Sequence, residues 1–251
     1  VTPTGPVHFV YLGGPFPWQY RRAVETAAVH GAPIWFWDAT MTADEHLAQA
    51  SGAATATATV AEQLLHAGVI DRGLRVHLPD WLRDHPIKLA NVKDLYVWRI
   101  LHEHGGLYLD LDTISLRPVW DLLAPGIDLV VSSEWEQGFY AGHPCNSAAV
   151  VARPGAPVTA DLSERALTIL EAGEDQWGSC GPHLLTKALE DWGDVIMAAP
   201  MPLLNGWRDD TIHRYYDGEP PDPRTRVIHC YQSSRPERFL ADRWMPPSAV
   251  V

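Results

Sequence analysis

Asp110 and Asp112 stand two residues apart in the stretch Gly105-Gly106-Leu107-Tyr108-Leu109-Asp110-Leu111-Asp112-Thr113. Carboxylates at that spacing can grip a divalent cation, act as a general acid and base, or cap the segment that follows. The surrounding residues decide among these. Leu107, Tyr108 and Leu109 form a short apolar run that reads as a buried strand. Side chains alternate along a strand, so Asp110 and Asp112 are expected on one side where the strand leaves the sheet. Like charges so close repel unless a cation lies between them. The stretch that follows carries no Lys or Arg until Arg117, so a divalent cation is the expected partner. The acid and base reading is weaker. Glycosidase carboxylates stand at least ~5 Å apart across a sugar, and neighbours on one strand rarely bracket one.

The elements that position the pair follow from the apolar spacing. Leu89, Val92, Leu95, Tyr96, Ile100 and Leu101 recur near the helical period and predict a helix over Ile87–His104. Gly105 and Gly106 end it, and His102 and His104 favour the negative end of its dipole. Upstream, Val7–Leu12 reads as a first strand closed by Gly13-Gly14. This is no phosphate loop, because no Gly-Lys-Ser/Thr follows. Trp18–His30 reads as a helix with Tyr20, Val24, Ala27 and Ala28 inward. Ile34–Trp37 is a second strand, Val60–Ala67 a helix and Leu74–Leu78 a third strand. Pro79–His85 is a turn or short helix. Beyond the central stretch, Ile114–Leu116 continues extended and Val119–Leu123 is a short helix. Strands are expected at Ile127–Ser132, Ser147–Ala152, Val195–Ala198 and Val227–Cys230, with helices at Pro157–Ala172 and from Pro182 or His183 to Trp192. Ser133–Asn146 is a polar loop long enough to be functional. Strands alternating with longer helices argue an α/β fold with a mostly parallel sheet, whose ligands lie at the carboxyl edge of the strands.

Composition narrows the partners. The 251 residues suit one domain, with no run apolar enough to cross a membrane as a helix. No leader is visible, although Val1 is not a start methionine, so a processed or trimmed chain is compatible. A net charge of −12 argues against a nucleic-acid surface and suits a metal site rich in carboxylate. Cys145, Cys180 and Cys230 are odd in number and lack metal-ligand spacing, so a reducing, cytoplasmic setting is expected, with peripheral attachment at a membrane left open. Eleven Trp offer flat faces on which sugars and nucleobases stack, and most are expected in the core. The Ala-, Arg- and Pro-rich composition is of the kind expected from a GC-rich bacterium.

Ala90–Leu123 resembles the Asp-x-Asp region of nucleotide-sugar glycosyltransferases of the GT-A type. The nearest group holds yeast-type α-mannosyltransferases, α-1,4-N-acetylglucosaminyltransferases and bacterial capsular sugar transferases, with the glucosylating clostridial toxins more distant. The resemblance runs through Asp94, His104, Gly105-Gly106, Tyr108-Leu109-Asp110-Leu111-Asp112 and Leu116-Arg117-Pro118. Weaker likenesses lie in Phe9–Gly14, in Asn146 with Pro154-Gly155-Ala156-Pro157, in Gly181–Thr186 and at His229. Two positions depart. Val97 stands where the family helix carries an Arg, and Ser233-Ser234-Arg235 stands where it carries Ser-Trp.

The resemblance implies a single GT-A-like domain over residues 1–251, a Rossmann-type mixed, mostly parallel sheet flanked by helices. Residues 1–118 would hold the nucleotide and 119–251 the acceptor side. It implies transfer of a sugar from a UDP- or GDP-linked donor, with Mn2+ or Mg2+, to a saccharide or small-molecule acceptor, with retention of the α configuration. Asp112 would hold the metal, Asp110 would lie between sugar and metal, and His229 would be a third ligand. Asp94 and Tyr108 would serve the donor, and Asn146 would lie by the anomeric carbon or acceptor. Leu12 and Gly13 would lie near the base, with Trp35 or Trp37 stacked on it. Gly181, His183 and Ser233 would complete the donor site. Ser133–Asn146 and Trp207–Pro223 would wall the acceptor. A degenerate domain that binds a nucleotide sugar or carbohydrate without turning it over is the alternative.

Overall fold

The computed structural model describes residues 2, 4–12, 16–38, 60–76, 89–134, 145–174 and 176–232. In chain order its strands are β1 (Val7–Tyr11), β2 (Ile34–Asp38), β3 (Arg72–Arg75), β4 (Gly106–Leu109), β5 (Thr113–Ser115), β6 (Leu129–Ser133), β7 (Cys145–Ala152), β8 (Ile196–Ala199) and β9 (Val227–His229). The helices among the described residues are α1 (Arg21–Ala28), α2 (Val60–His66), α3 (Leu89–His104), α4 (Pro157–Glu171) and α5 (Pro182–Trp192), with single turns α6 (Met201–Leu204) and α7 (His213–Tyr216).

Seven strands form one sheet in the order β3-β2-β1-β4-β7-β6-β8. β1, β2, β3 and β4 run parallel, as do β6 and β8, while β7 lies antiparallel to both neighbours. The chain is thus an α/β fold with a mixed, mostly parallel sheet, as expected. β4 and β7 are buried along their whole length, which their apolar sequences require of strands covered on both faces. Period-two alternation divides the core. Val10, Tyr108, Val131 and Val150 face α3, α4 and α5, where they meet Trp98, Leu101, Leu162 and Leu185. Val7, Phe9, Leu107, Leu109 and Val151 face the side covered by α1 and α2, with Val24 and Leu64. β5 and β9 pair separately as an antiparallel ribbon.

Several boundaries shift. The segment expected as one helix from Trp18 begins as a 3-10 turn, Trp18–Tyr20, and is α-helical only from Arg21. Its buried stripe is therefore Ala23, Val24 and Ala27, and Ala28 is exposed. The third strand lies at Arg72–Arg75, earlier than expected, because Arg72–Arg75 is the segment in register with Trp35–Asp38 of β2. Pro79–His85 and residues 77–78 lie outside the described residues. The three cysteines are free and buried.

The turn from α3 into β4 is sterically tight. Gly105 and Gly106 both have positive φ, 61° and 97°, which glycine adopts without a Cβ penalty. A Cβ on Gly106 would lie 2.3 Å from the Pro6 carbonyl oxygen, and one on Gly105 2.5 Å from Pro154 Cδ. Trp37 Nε1–H donates to His8 Nδ1 at 3.1 Å, so His8 carries its proton on Nε2 and donates to the Gly105 carbonyl at 2.8 Å. Burial lowers the His8 pKa to about 4 and keeps the ring neutral. Gly106→Ala is expected to cost more than about 3 kcal/mol or to prevent folding, since rigid backbone must move. Gly31→Ala, at φ 74° with open space around it, should cost only about 1 kcal/mol. Urea denaturation of the two variants checks the contrast.

Candidate active site

β4 ends at Leu109, and the chain turns at once. The backbone N–H and hydroxyl of Thr113 donate to the Asp110 carbonyl at 3.2 and 2.7 Å, and Asp110 N–H donates to the Ala148 carbonyl at 2.8 Å. Strand alternation therefore stops before Asp112. The two carboxylates do reach one cavity, but a turn brings them there rather than a continued strand.

Asp110 has a cationic partner within the chain. Lys93 Nζ lies 2.6 Å from Asp110 Oδ1 and 3.4 Å from Asp94 Oδ1, and the Tyr108 hydroxyl donates to the same Asp110 oxygen. The expectation that no Lys or Arg was placed to pair with Asp110 is corrected here, because the partner comes from the preceding helix. Burial alone would lower the Lys93 pKa. The Asp110 carboxylate outweighs it, with Tyr108 and Asp94, and holds the ammonium well above its usual range. Asp94 is 4% exposed. Its Oδ1 has no hydrogen-bond partner, so the 3.4 Å approach of Lys93 is an ion pair without hydrogen-bond alignment. Burial raises the Asp94 pKa to about 6, with Asp110 adding to the effect and Lys93 opposing it. Gly181, the residue before α5, makes room for this carboxylate: a Cβ there would lie 2.2 Å from Asp94 Oδ2.

Asp112 is held from the C-terminal side. Its Oδ2 accepts the Gln232 N–H at 2.8 Å and lies 3.4 Å from His229 Nε2, while its carbonyl accepts the Cys230 N–H at 2.8 Å. Burial opposes ionisation of Asp112, but His229 and Gln232 N–H outweigh it and keep the carboxyl below its usual range. Burial likewise lowers the His229 pKa, but Asp112 outweighs it and raises the imidazole above its usual value. Tyr231 lies between these anchors at φ 51°, alone among the described non-glycine residues in having positive φ. For a bulky residue that conformation is an outlier. Its ring stacks on His229 with centroids 4.0 Å apart, and its hydroxyl accepts from Asn205 Nδ2 at 2.7 Å. Asn146, at the start of β7, accepts the Ala148 N–H on Oδ1 at 2.7 Å. Its amide nitrogen donates to Glu134 Oε1 at 3.0 Å and lies 3.3 Å from His229 Nδ1. Asp110, Asp112 and His229 each bring a ligand atom within 4.8 Å of the others. Two carboxylates and one imidazole are a donor set that fits a hard divalent cation such as Mn2+ or Mg2+.

These groups line a cavity of about 520 Å³ at the carboxyl edge of β1 and β4. The strand order reverses there, where open α/β sheets place their ligands. Of the expected residues, Leu12, Asp94, Asp110, Asp112, Asn146 and His229 border it. Tyr108 lies beneath Asp110, and Gly181 lies behind Asp94. Trp35 does not border the cavity. It lies near the amino end of β2, against His8, His104 and the Arg72 guanidinium. Trp37 stacks on His104 instead. His183 faces a separate groove between α4 and α5. Gly13, Ser233 and residues 135–144 of the expected acceptor loop lie outside the described residues. Tyr11 and Glu134, within the expected stretches Phe9–Gly14 and Ser133–Asn146, also border the cavity, as do Lys93, Tyr20, Trp177 and Tyr231, which sequence reasoning did not assign to the site. Position next to Asp94 could have flagged Lys93, and Tyr231 stands two residues after His229.

The raised pKa of Asp94 has a consequence for stability. The folded chain binds this proton more tightly than the unfolded chain does. Stability from the group is therefore complete below the unfolded value of 3.8 and is lost as pH rises to about 6. Asn at 94 cannot ionise. The stability of Asp94→Asn relative to wild type is expected to shift in the variant's favour by about 2 kcal/mol between pH 4 and 7. Urea denaturation at the two pH values measures it, and a difference independent of pH would refute it.

No family model matches the chain, and no curated protein does. Solved structures do. The apo-form glycosyltransferase GlyE of Streptococcus pneumoniae TIGR4 superimposes with a TM-score of 0.53 at 13% identity, over 96% of this chain and 61% of that one. The PaToxG glycosyltransferase superimposes with a TM-score of 0.50 at 13% identity, over 75% of this chain and 69% of that one. This chain therefore has the α/β fold that these glycosyltransferases share.

Proposed function

We infer that this chain is a glycosyltransferase that moves a sugar from a UDP- or GDP-linked donor to a hydroxyl of a saccharide or small molecule, retaining the α configuration. The observation that carries this reading is the convergence of Asp110, Asp112 and His229 within 4.8 Å at the edge of a cavity at the carboxyl ends of β1 and β4. The cavity volume lies in the range of small-ligand sites. Mn2+ or Mg2+ held by Asp112, Asp110 and His229 would supply positive charge for the diphosphate that leaves. Asp94 borders the cavity, and its carboxylate keeps hydrogen-bonding capacity for a donor-sugar hydroxyl beside its ion pair with Lys93. Lys93 adds a cation on the helix face where the resembled family carries an Arg one turn later. Val97, at that later position, is fully buried in the core. Tyr11 and Tyr20 border the cavity at the end of β1 and take the place first expected of Trp35 against the base. Asn146 borders the cavity beside the cation cluster and would lie by the anomeric carbon or the acceptor.

A panel of UDP- and GDP-sugars, incubated with Mn2+ and read by mass spectrometry, tests the reading. Turnover of at least one donor is expected, and Asp112→Asn should fold normally but retain less than about one hundredth of it. Donor binding without turnover would favour the non-catalytic alternative. Neither stabilisation nor turnover by any donor would sink both.

A further inference from the structure

We propose that Glu134 is the nucleophile of the transfer, forming a glycosyl ester that the acceptor then resolves. The proposal rests on the retaining reading above, since retention by double displacement needs a carboxylate opposite the leaving diphosphate. Among the described residues, the carboxylates bordering the cavity are Asp94, Asp110, Asp112, Glu134 and Asp209. Asp110 and Asp112 belong to the cation cluster. Asp94 is buried beside α5, and Asp209 is exposed. Glu134 remains, and its position suits the task.

Glu134 follows β6, which is separated from β4 by β7 alone. Asn146 Nδ2 lies 3.0 Å from Glu134 Oε1 and 3.3 Å from His229 Nδ1, so one amide group separates the Glu134 carboxylate from the cation cluster. The leaving group would then depart toward Asp110 and Asp112, and Glu134 would approach from the opposite face, as in-line displacement requires. The register of β6 against β7 jumps between Val131, paired with Val150, and Ser132, paired with Asn146. This irregularity re-aims the strand end toward the cavity. Asn146 is 6% exposed, and its amide orientation is set by the Ala148 N–H. It holds Glu134 Oε1 at 3.0 Å. The other carboxylate oxygen is left for attack.

In the first displacement the Glu134 oxygen bonds to the anomeric carbon, and the carbon–oxygen bond to the diphosphate breaks. The electron pair leaves with the nucleoside diphosphate. In the second, the acceptor hydroxyl oxygen attacks the same carbon from the vacated face. The ester bond breaks and returns its pair to Glu134, and the hydroxyl proton passes to the bound nucleoside diphosphate. Two inversions give retention.

The test uses the full chain with the donor the wild type turns over. Glu134→Gln keeps the contact to Asn146 and is expected to bind nucleoside diphosphate and Mn2+ as wild type does, while kcat falls at least about 100-fold. Glu134→Ala with sodium azide is expected to release a glycosyl azide of configuration opposite to the donor, a readout that a merely structural role would not produce. A smaller loss in Glu134→Gln with donor KM unchanged overturns the proposal. So does the absence of the azide product, even where turnover is lost. A wild type inactive on every donor would instead remove the reading on which the proposal rests.

Discussion

Three carboxylates, Asp94, Asp110 and Asp112, crowd the end of β4, and the site depends on how their charge is balanced. Two groups of the chain flank them: the Lys93 ammonium lies 2.6 Å from Asp110, and the His229 imidazole lies 3.4 Å from Asp112. Near a protein surface an ion pair at about 4 Å is worth about 4 kcal/mol, and a like pair costs as much. The chain thus lowers the cost of assembling the cluster and still leaves Asp110, Asp112 and His229 able to meet a divalent cation.

The scaffold holds this cluster from two directions. From below, the Gly105-Gly106 turn lets β4 lie against Pro6 and Pro154 and enter the sheet between β1 and β7. From above, backbone N–H groups of Cys230 and Gln232 bind Asp112, with Tyr231 strained between them and stacked on His229. Residues more than a hundred positions apart therefore share one carboxylate. A change in what Asp112 binds would be felt directly by the segment after β9.

Much of this was legible in the sequence. The helix stop at Gly105, the buried strand after it and the parallel sheet follow from period and turn chemistry. Asp110, Asp112 and His229 do converge, but period-two alternation was the wrong reason, because the chain turns after Leu109. Lys93 was missed, although simple lengths locate it. The eleven helical steps from Lys93 to His104 rise about 16 Å, and the strand returns about as far by Asp110. A helix folded back on its strand thus sets residue 93 over residue 110. Trp35 was misplaced for a related reason. Its register opposite His8 puts it near the amino end of the strands, away from the cavity. Contacts such as Glu134 with Asn146 depend on an irregular register in β6, which no local pattern announces.

The proposed transfer requires the edge of β4 to hold a nucleoside diphosphate through a cation bound by Asp112. Calorimetric titration of UDP and GDP into the protein, with and without Mn2+, measures this. One of the two is expected to bind in the presence of Mn2+, and omitting the metal or substituting Asp112→Asn is expected to weaken binding at least about tenfold. Equal affinity with and without Mn2+, or binding unaffected by the loss of Asp112, would contradict it.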